Sequence, residues 1–114
     1  MIKGYAGRIL EIDLRSRTHT FRPLDEETAR LYIGGKGYGV RLLYDMTESG
    51  MDPFSPDNPL IFATGPLNGS VAPQSNRFAV ISKSPLTGGI GHEPTECAHP
   101  TCGQAIREFI AIQP

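Results

Sequence analysis

Long apolar runs are missing from this 114-residue sequence. The longest, Leu60-Ile61-Phe62-Ala63, is far too short to cross a bilayer and fits a core strand instead. Met1 is followed by Lys3, Tyr5 and a strand-like segment rather than an apolar stretch, so no secretory signal is visible. A soluble, cytoplasmic protein with no membrane partner is the expectation. An excess of one charge is missing as well: 11 Lys and Arg face 12 Asp and Glu, a formal net charge of -1. No basic stripe could track a phosphate backbone and no aromatic ladder could stack bases, so nucleic acid is not an expected partner. Cysteine is scarce. Cys97 and Cys102 are the only two, and without an export signal they read as thiols rather than a structural disulfide.

Glycine and proline are plentiful, 13 and 10 residues. That level stops short of low complexity but predicts many turns and few long regular elements. The hydrophobic fraction, 39%, is low for a self-sufficient core. A chain of this length forms one domain or part of one, and it buries well under three-quarters of its unfolded surface, so its stability margin is modest.

Residues 5–14 alternate in strand fashion, with Ile9, Glu11 and Asp13 on one face and Leu10, Ile12 and Leu14 on the other. The polar turn Arg15-Ser16-Arg17 and a second alternating run, Thr18 to Arg22, complete an expected β-hairpin. Pro23 and Asp25 then open a helix. Asp25 is placed to cap it, Glu26 and Glu27 suit the positive end of its dipole, and Ala29, Leu31, Tyr32 and Ile33 are its expected apolar side. Gly34-Gly35 is expected to end it, with a second short helix through Val40, Leu42, Leu43 and Met46. Three prolines within Asp52 to Pro59 forbid regular structure there. Leu60–Thr64 and Arg77–Lys83 read as strands, the latter with Phe78, Val80 and Ser82 on one face; Gly65–Gly69 and Ser84–Gly89 read as turns.

Several segments invite a chemical reading. Gly34 to Gly39 is glycine-rich, but a P-loop needs Gly-Lys followed by Ser or Thr, and here Gly37 follows Lys36. A dinucleotide fingerprint needs its glycines after a strand, whereas these follow a helix. The segment therefore reads as a helix end and tight turn whose glycines let backbone approach something bulky. Arg77, at a strand start between two Gly/Pro turns, is either a solvated surface residue or a planar cation for an anionic or ring-shaped ligand. His92, Cys97, His99 and Cys102 are four donors of zinc-ligand type in a short, Pro-punctuated span. Their spacing matches no common zinc module, so a polar tail and a zinc site both stay open. No serine lies in a nucleophile motif.

In order and spacing, Gly4 to Leu10, Leu24 to Glu27, Tyr32 to Gly37, Asp52 to Gly69, Arg77-Phe78 and Ser84 to Gly91 resemble the opening of the tungsten-containing aldehyde:ferredoxin oxidoreductases. The resemblance covers residues 4–91 nearly without gaps. It implies an α+β fold, a largely antiparallel β-sheet base with short helices on which pterins lie. It also implies aldehyde oxidation to a carboxylic acid, a tungsten bis-pterin cofactor beside a [4Fe–4S] cluster, and ferredoxin as electron acceptor. Arg77 matches the arginine between pterin and cluster in that family. Asn76, Gly88, Gly89 and Gly91 lie in the turns expected to bring backbone near the cofactor.

The departures are specific. The family's Asn after Gly91, which helps hold a Mg²⁺ bridging the pterin phosphates, is matched here by Pro94, which offers no side-chain ligand and no backbone donor. Gly103 to Arg107 faintly echoes the family's next helix and Ile110-Ala111-Ile112 its next strand. Two cysteines cannot supply the Cys₄ set of a [4Fe–4S] cluster. The expectation is a truncated N-terminal domain, partial over 1–91, with a divergent tail at 92–114 and no catalysis alone. Its expected partners are ferredoxin, aldehyde, and either the remaining enzyme domains or a paralogue. The alternative is a non-catalytic binding or interaction domain, with a zinc site in its tail.

Overall fold

The computed structural model describes residues 3–68, 70–73, 75, 77–96 and 111–113, with backbone alone for 93–96 and 111–113. The chain order is β1 (Arg8–Asp13), β2 (Thr18–Pro23), α1 (Glu26–Tyr32), α2 (Gly35–Met46), β3 (Ile61–Thr64), β4 (Arg77–Lys83), β5 (Ile90–Glu96) and β6 (Ala111–Gln113). Two three-stranded sheets result, ordered β2-β1-β6 and β3-β4-β5. Within them β1–β2, β3–β4 and β4–β5 are antiparallel and β1–β6 is parallel. The fold is thus α+β with largely antiparallel sheets and two helices, as expected.

The N-terminal hairpin forms in the expected register, from Arg8↔Pro23 to Asp13↔Thr18. Its burial differs from simple alternation: Ile9 and Leu10 are both buried, whereas every residue of β2 is exposed. Neighbouring strand residues point to opposite faces, so β1 is covered on both sides at its start. The strand expected at 110–112 is β6, which borders β1 on the side away from β2.

Asp25 caps α1 as its position implies, accepting from Thr28 N–H at 3.1 Å. The Thr28 side-chain and backbone hydrogen bonds stabilise the carboxylate and hold the Asp25 pKa below its ordinary 3.8. A depressed carboxylate pKa makes its contribution present above 3.8 and lost as the pH falls through the lower folded value. Asp25→Ala is therefore expected to lower the melting temperature at pH 7 and to lower it by less at pH 2. Equal losses at both values, in parallel circular-dichroism melts, would contradict this.

The apolar side of α1 departs from expectation. Ala29 alone is buried, while Leu31 is 71% and Ile33 61% exposed. A seven-residue helix has room for one contact residue against the core, and Ala29 takes it, so the bulky residues at its end project outward. Nor does a glycine terminate α1. Ile33 is its C-cap, and Gly34 is already the N-cap of α2, so the glycine-rich segment forms the first turns of the second helix.

The core joins Ile9 and Ala29 to Tyr38, Leu42 and Leu43 of α2, Ile61 and Ala63 of β3, and Ala79 and Ile81 of β4. Helix α2 lies on the β3–β4 face, and Gly39 is the point of closest approach. A Cβ there would stand 2.1 Å from Ile81 Cδ1 and 3.2 Å from Ala63 Cβ. Burial pushes the pKa of the α2 phenol Tyr38 up, so it stays neutral in the core.

The irregular segment at 52–59 is tied to β4 by Asn58. Its Nδ2 donates to Pro53 O (2.8 Å) and Lys83 O (3.0 Å), and its Oδ1 accepts from Lys83 N–H (3.1 Å). A single side chain thereby completes the backbone hydrogen bonding at the end of β4, where β3 has run out. Strand β5 runs from Ile90 to Glu96, across the division expected between residues 91 and 92. Its Pro94 sits on a sheet edge, the place where a strand tolerates a residue without N–H.

Candidate functional site

Where the start of α2 faces the start of β4, a cleft of about 450 Å³ opens. One wall is the α1–α2 joint, residues 33–36; the other is built from the loop after β3, at 65–68, and from Arg77 and Phe78. The joint is unusual. Ile33 has φ 63 and ψ -72, and Gly34 N–H donates to Tyr32 O at 2.8 Å, which together describe a positive-φ γ-turn. That conformation is strained for a β-branched residue and persists only where surrounding contacts hold it. Here Ile33 N–H donates to Ala29 O at 2.9 Å, and the Tyr5 hydroxyl donates to Ile33 O at 2.7 Å.

Gly34 presses this joint against the opposite wall: a Cβ on it would lie 2.8 Å from Thr64 O and 3.0 Å from Gly65 Cα. The expectation that glycines here permit close approach is met, and the bulky neighbour is the protein's own β3 exit. Gly65 is different. Its φ is not in the left-handed range and a Cβ on it would meet nothing within 4 Å, although it lines the cleft. Neither backbone nor packing demands a glycine at this position.

The described residues give the cleft a positive character. Helix α2 has no side-chain cap and no acidic residue in its first turn, so its N-terminal backbone N–H groups and dipole are unopposed. Lys36 and Arg77 also line the cleft, and no carboxylate does among the described residues. Leu67, Pro73 and Ala79 supply apolar wall. Such a site fits a flat ring system carrying negative charge.

The structure separates the residues singled out from sequence. Arg77 is exposed at the cleft. Gly88 and Gly89 lie in the hairpin turn between β4 and β5, closed by Ser84 N–H to Gly89 O and Gly88 N–H to Ser84 O, both 2.8 Å. Gly91 is in β5 opposite Ser82. This turn stands at the other end of β4, about 20 Å from Arg77 at an ordinary strand rise. His92 is exposed, and Asn76, Cys97, His99 and Cys102 lie outside the described residues. Among the described residues no group of three or more His, Cys, Asp or Glu could hold a metal ion. Sequence reasoning missed Tyr5, Gly65 and Asn68. All three stood inside quoted motifs, yet only their contacts, or lack of them, show what they do.

Comparison with known proteins agrees with this architecture. Residues 9–106 match the family described as "Aldehyde ferredoxin oxidoreductase, N-terminal domain". The tungsten-containing aldehyde ferredoxin oxidoreductase of Pyrococcus horikoshii is 47% identical over 87 residues, which cover 76% of this chain and 14% of that protein. The aliphatic sulfonate oxidoreductase, WOR-like subunit, of Pyrococcus furiosus is 30% identical over 90 residues, again 76% of this chain and 14% of that protein. Among solved structures, the active-site complex BamBC of benzoyl coenzyme A reductase with 1,5-dienoyl-CoA superposes with a TM-score of 0.87 at 30% identity. That match covers 98% of this chain and 17% of the other. The chain belongs to the aldehyde ferredoxin oxidoreductase family, in the region of its N-terminal domain, and spans about one-seventh of the length of these curated relatives.

No helix among the described residues is long and apolar enough to cross a membrane.

Proposed function

We propose that this chain supplies one wall of a tungstopterin site in an enzyme that oxidises aldehydes to carboxylic acids and passes the electrons to ferredoxin. The observation that carries the reading is the cleft between α2 and β4, with Arg77, Lys36 and an uncapped helix N-terminus around apolar wall. When bound, the tungsten–pterin group supplies the two-electron oxidation. The residues present here bind and orient. Arg77 offers charge-assisted hydrogen bonds to an anionic or carbonyl-bearing heterocycle, Leu67 and Pro73 cover its faces, and the backbone N–H groups of α2 take the negative end. Gly88, Gly89 and Gly91 are proposed as backbone approaches for a more distant part of the same extended cofactor.

The residues of this chain do not fit a [4Fe–4S] cluster, because two cysteines cannot provide four thiolates. These 114 residues are accordingly proposed to bind but not to turn over aldehyde by themselves. The test is a fluorescence titration of the full chain with 6-hydroxymethylpterin phosphate. Saturable binding is expected, weakened about tenfold or more in Arg77→Ala, as suits the loss of charge-assisted hydrogen bonds. Arg77→Lys should recover only part of it, since an ammonium cannot reproduce the planar fork. Binding unaffected by Arg77→Ala would end this reading of the cleft.

A further inference from the structure

Asn68 is buried, only 5% exposed, beside the half-buried Gly65 and Pro66 and the exposed Leu67. Its backbone N–H closes a turn on Gly65 O at 3.1 Å. Its side-chain amide, oriented so that the nitrogen faces two carbonyls, donates to Arg77 O at 2.6 Å and to Ser75 O at 3.2 Å. One residue therefore bridges the exit of β3 and the entry of β4.

The bridge falls where the sheet cannot do the work. Pairing between β3 and β4 runs from Ile61↔Ile81 to Thr64↔Phe78 and stops there, one residue short of Arg77. On its other side Arg77 is opposite Glu96 of β5. Toward β3, then, the Asn68 amide takes the place of the next rung, holding the carbonyl of Arg77, which lines the cleft. A buried amide donating to two carbonyls is a costly thing to leave half-satisfied, so it constrains position strongly.

We propose that Asn68 is a positioning residue for Arg77: it fixes the backbone from which the guanidinium reaches the ligand. This rests on the reading of Arg77 as a ligand contact, and a double-mutant cycle separates the two claims. The full chain is titrated with 6-hydroxymethylpterin phosphate as wild type, Arg77→Ala, Asn68→Asp, Asn68→Ser and the two double variants. The isosteric Asn68→Asp has no donor for either carbonyl and should weaken binding by about tenfold. Asn68→Ser keeps a hydroxyl donor for one of them and should lose less. In the Arg77→Ala background both changes should alter binding by less than about twofold, because the group they position is gone.

Losses of the same size in both backgrounds would overturn the proposal, since Asn68 would then be acting through the general fold or on the ligand itself. Should Asn68→Asp fail to fold, the same cycle is read with Asn68→Ser. An Arg77→Ala variant that binds like wild type, beside an Asn68→Asp variant that does not, would overturn both this proposal and the reading on which it rests.

Discussion

Gly39→Val is expected to lose the cooperative thermal unfolding of the wild-type chain or to lower its melting temperature by more than about 10 °C. Helix interiors ordinarily prefer alanine to glycine by about 1 kcal/mol, so a change at Gly39 looks favourable from local propensity. Packing decides otherwise. A Cβ on Gly39 would sit 2.1 Å from Ile81 Cδ1 and 3.2 Å from Ala63 Cβ. Both neighbours are essentially unexposed, so neither can move aside into solvent. Overpacking of this kind costs about 1–3 kcal/mol for an added methylene, and valine brings three carbons in a branched side chain. The change would push α2 away from β3 and β4, the face on which the core is built. Gly39→Ala should be milder, and pairing it with Ile81→Val, which removes the colliding Cδ1, should recover part of the loss. A melt of Gly39→Val within about 2 °C of wild type would show that α2 does not sit this close to the sheet.

Gly65→Val should give the opposite pattern, near-normal stability with ligand binding lost. Nothing lies within 4 Å of a Cβ on Gly65, and its φ is outside the left-handed region, so an L-residue can be accommodated. Replacing glycine at a compatible position reduces the freedom of the unfolded chain and stabilises by about 0.4–1 kcal/mol. Gly65 also precedes Pro66, and the extended backbone preferred there suits a β-branched residue. Yet Gly65 lines the cleft between α2 and β4, where an isopropyl group would occupy space proposed for a ring system. Binding of 6-hydroxymethylpterin phosphate is expected to weaken by more than about tenfold, with a melting temperature equal to wild type or slightly higher. Normal binding by Gly65→Val would place the ligand elsewhere, whatever Arg77→Ala does.

Local chemistry written in the residues was sufficient for much of the fold. The alternation around Ile9 and Thr20, the Asp25 cap, the prolines between Pro53 and Pro59 and the apolar run at Ile61 each act over a few residues. The hairpin, α1, the irregular connection and the inner strands could therefore be placed from sequence, and β4 from Arg77 to Lys83 to the residue. The ordered motifs from Gly4 to Gly91 likewise pointed to the family that residues 9–106 match.

What needed the tertiary structure was everything that depends on a distant neighbour. Burial of Ile9 and Leu10 together requires cover on both faces of β1, which no pattern within the strand can state. The glycines at 34–39 satisfied the sequence signals for a helix end, yet Gly39 is needed because Ile81, 42 residues later, lies against it. Asn68 read as an ordinary turn residue until folding brought the Ser75 and Arg77 carbonyls to its amide. The sequence by itself determined the local elements, the family and the arginine at the head of β4. Only the tertiary structure decided which glycines are packed and which are open, and what holds that arginine's backbone in place, because those are facts of spacing between segments that the chain does not join directly.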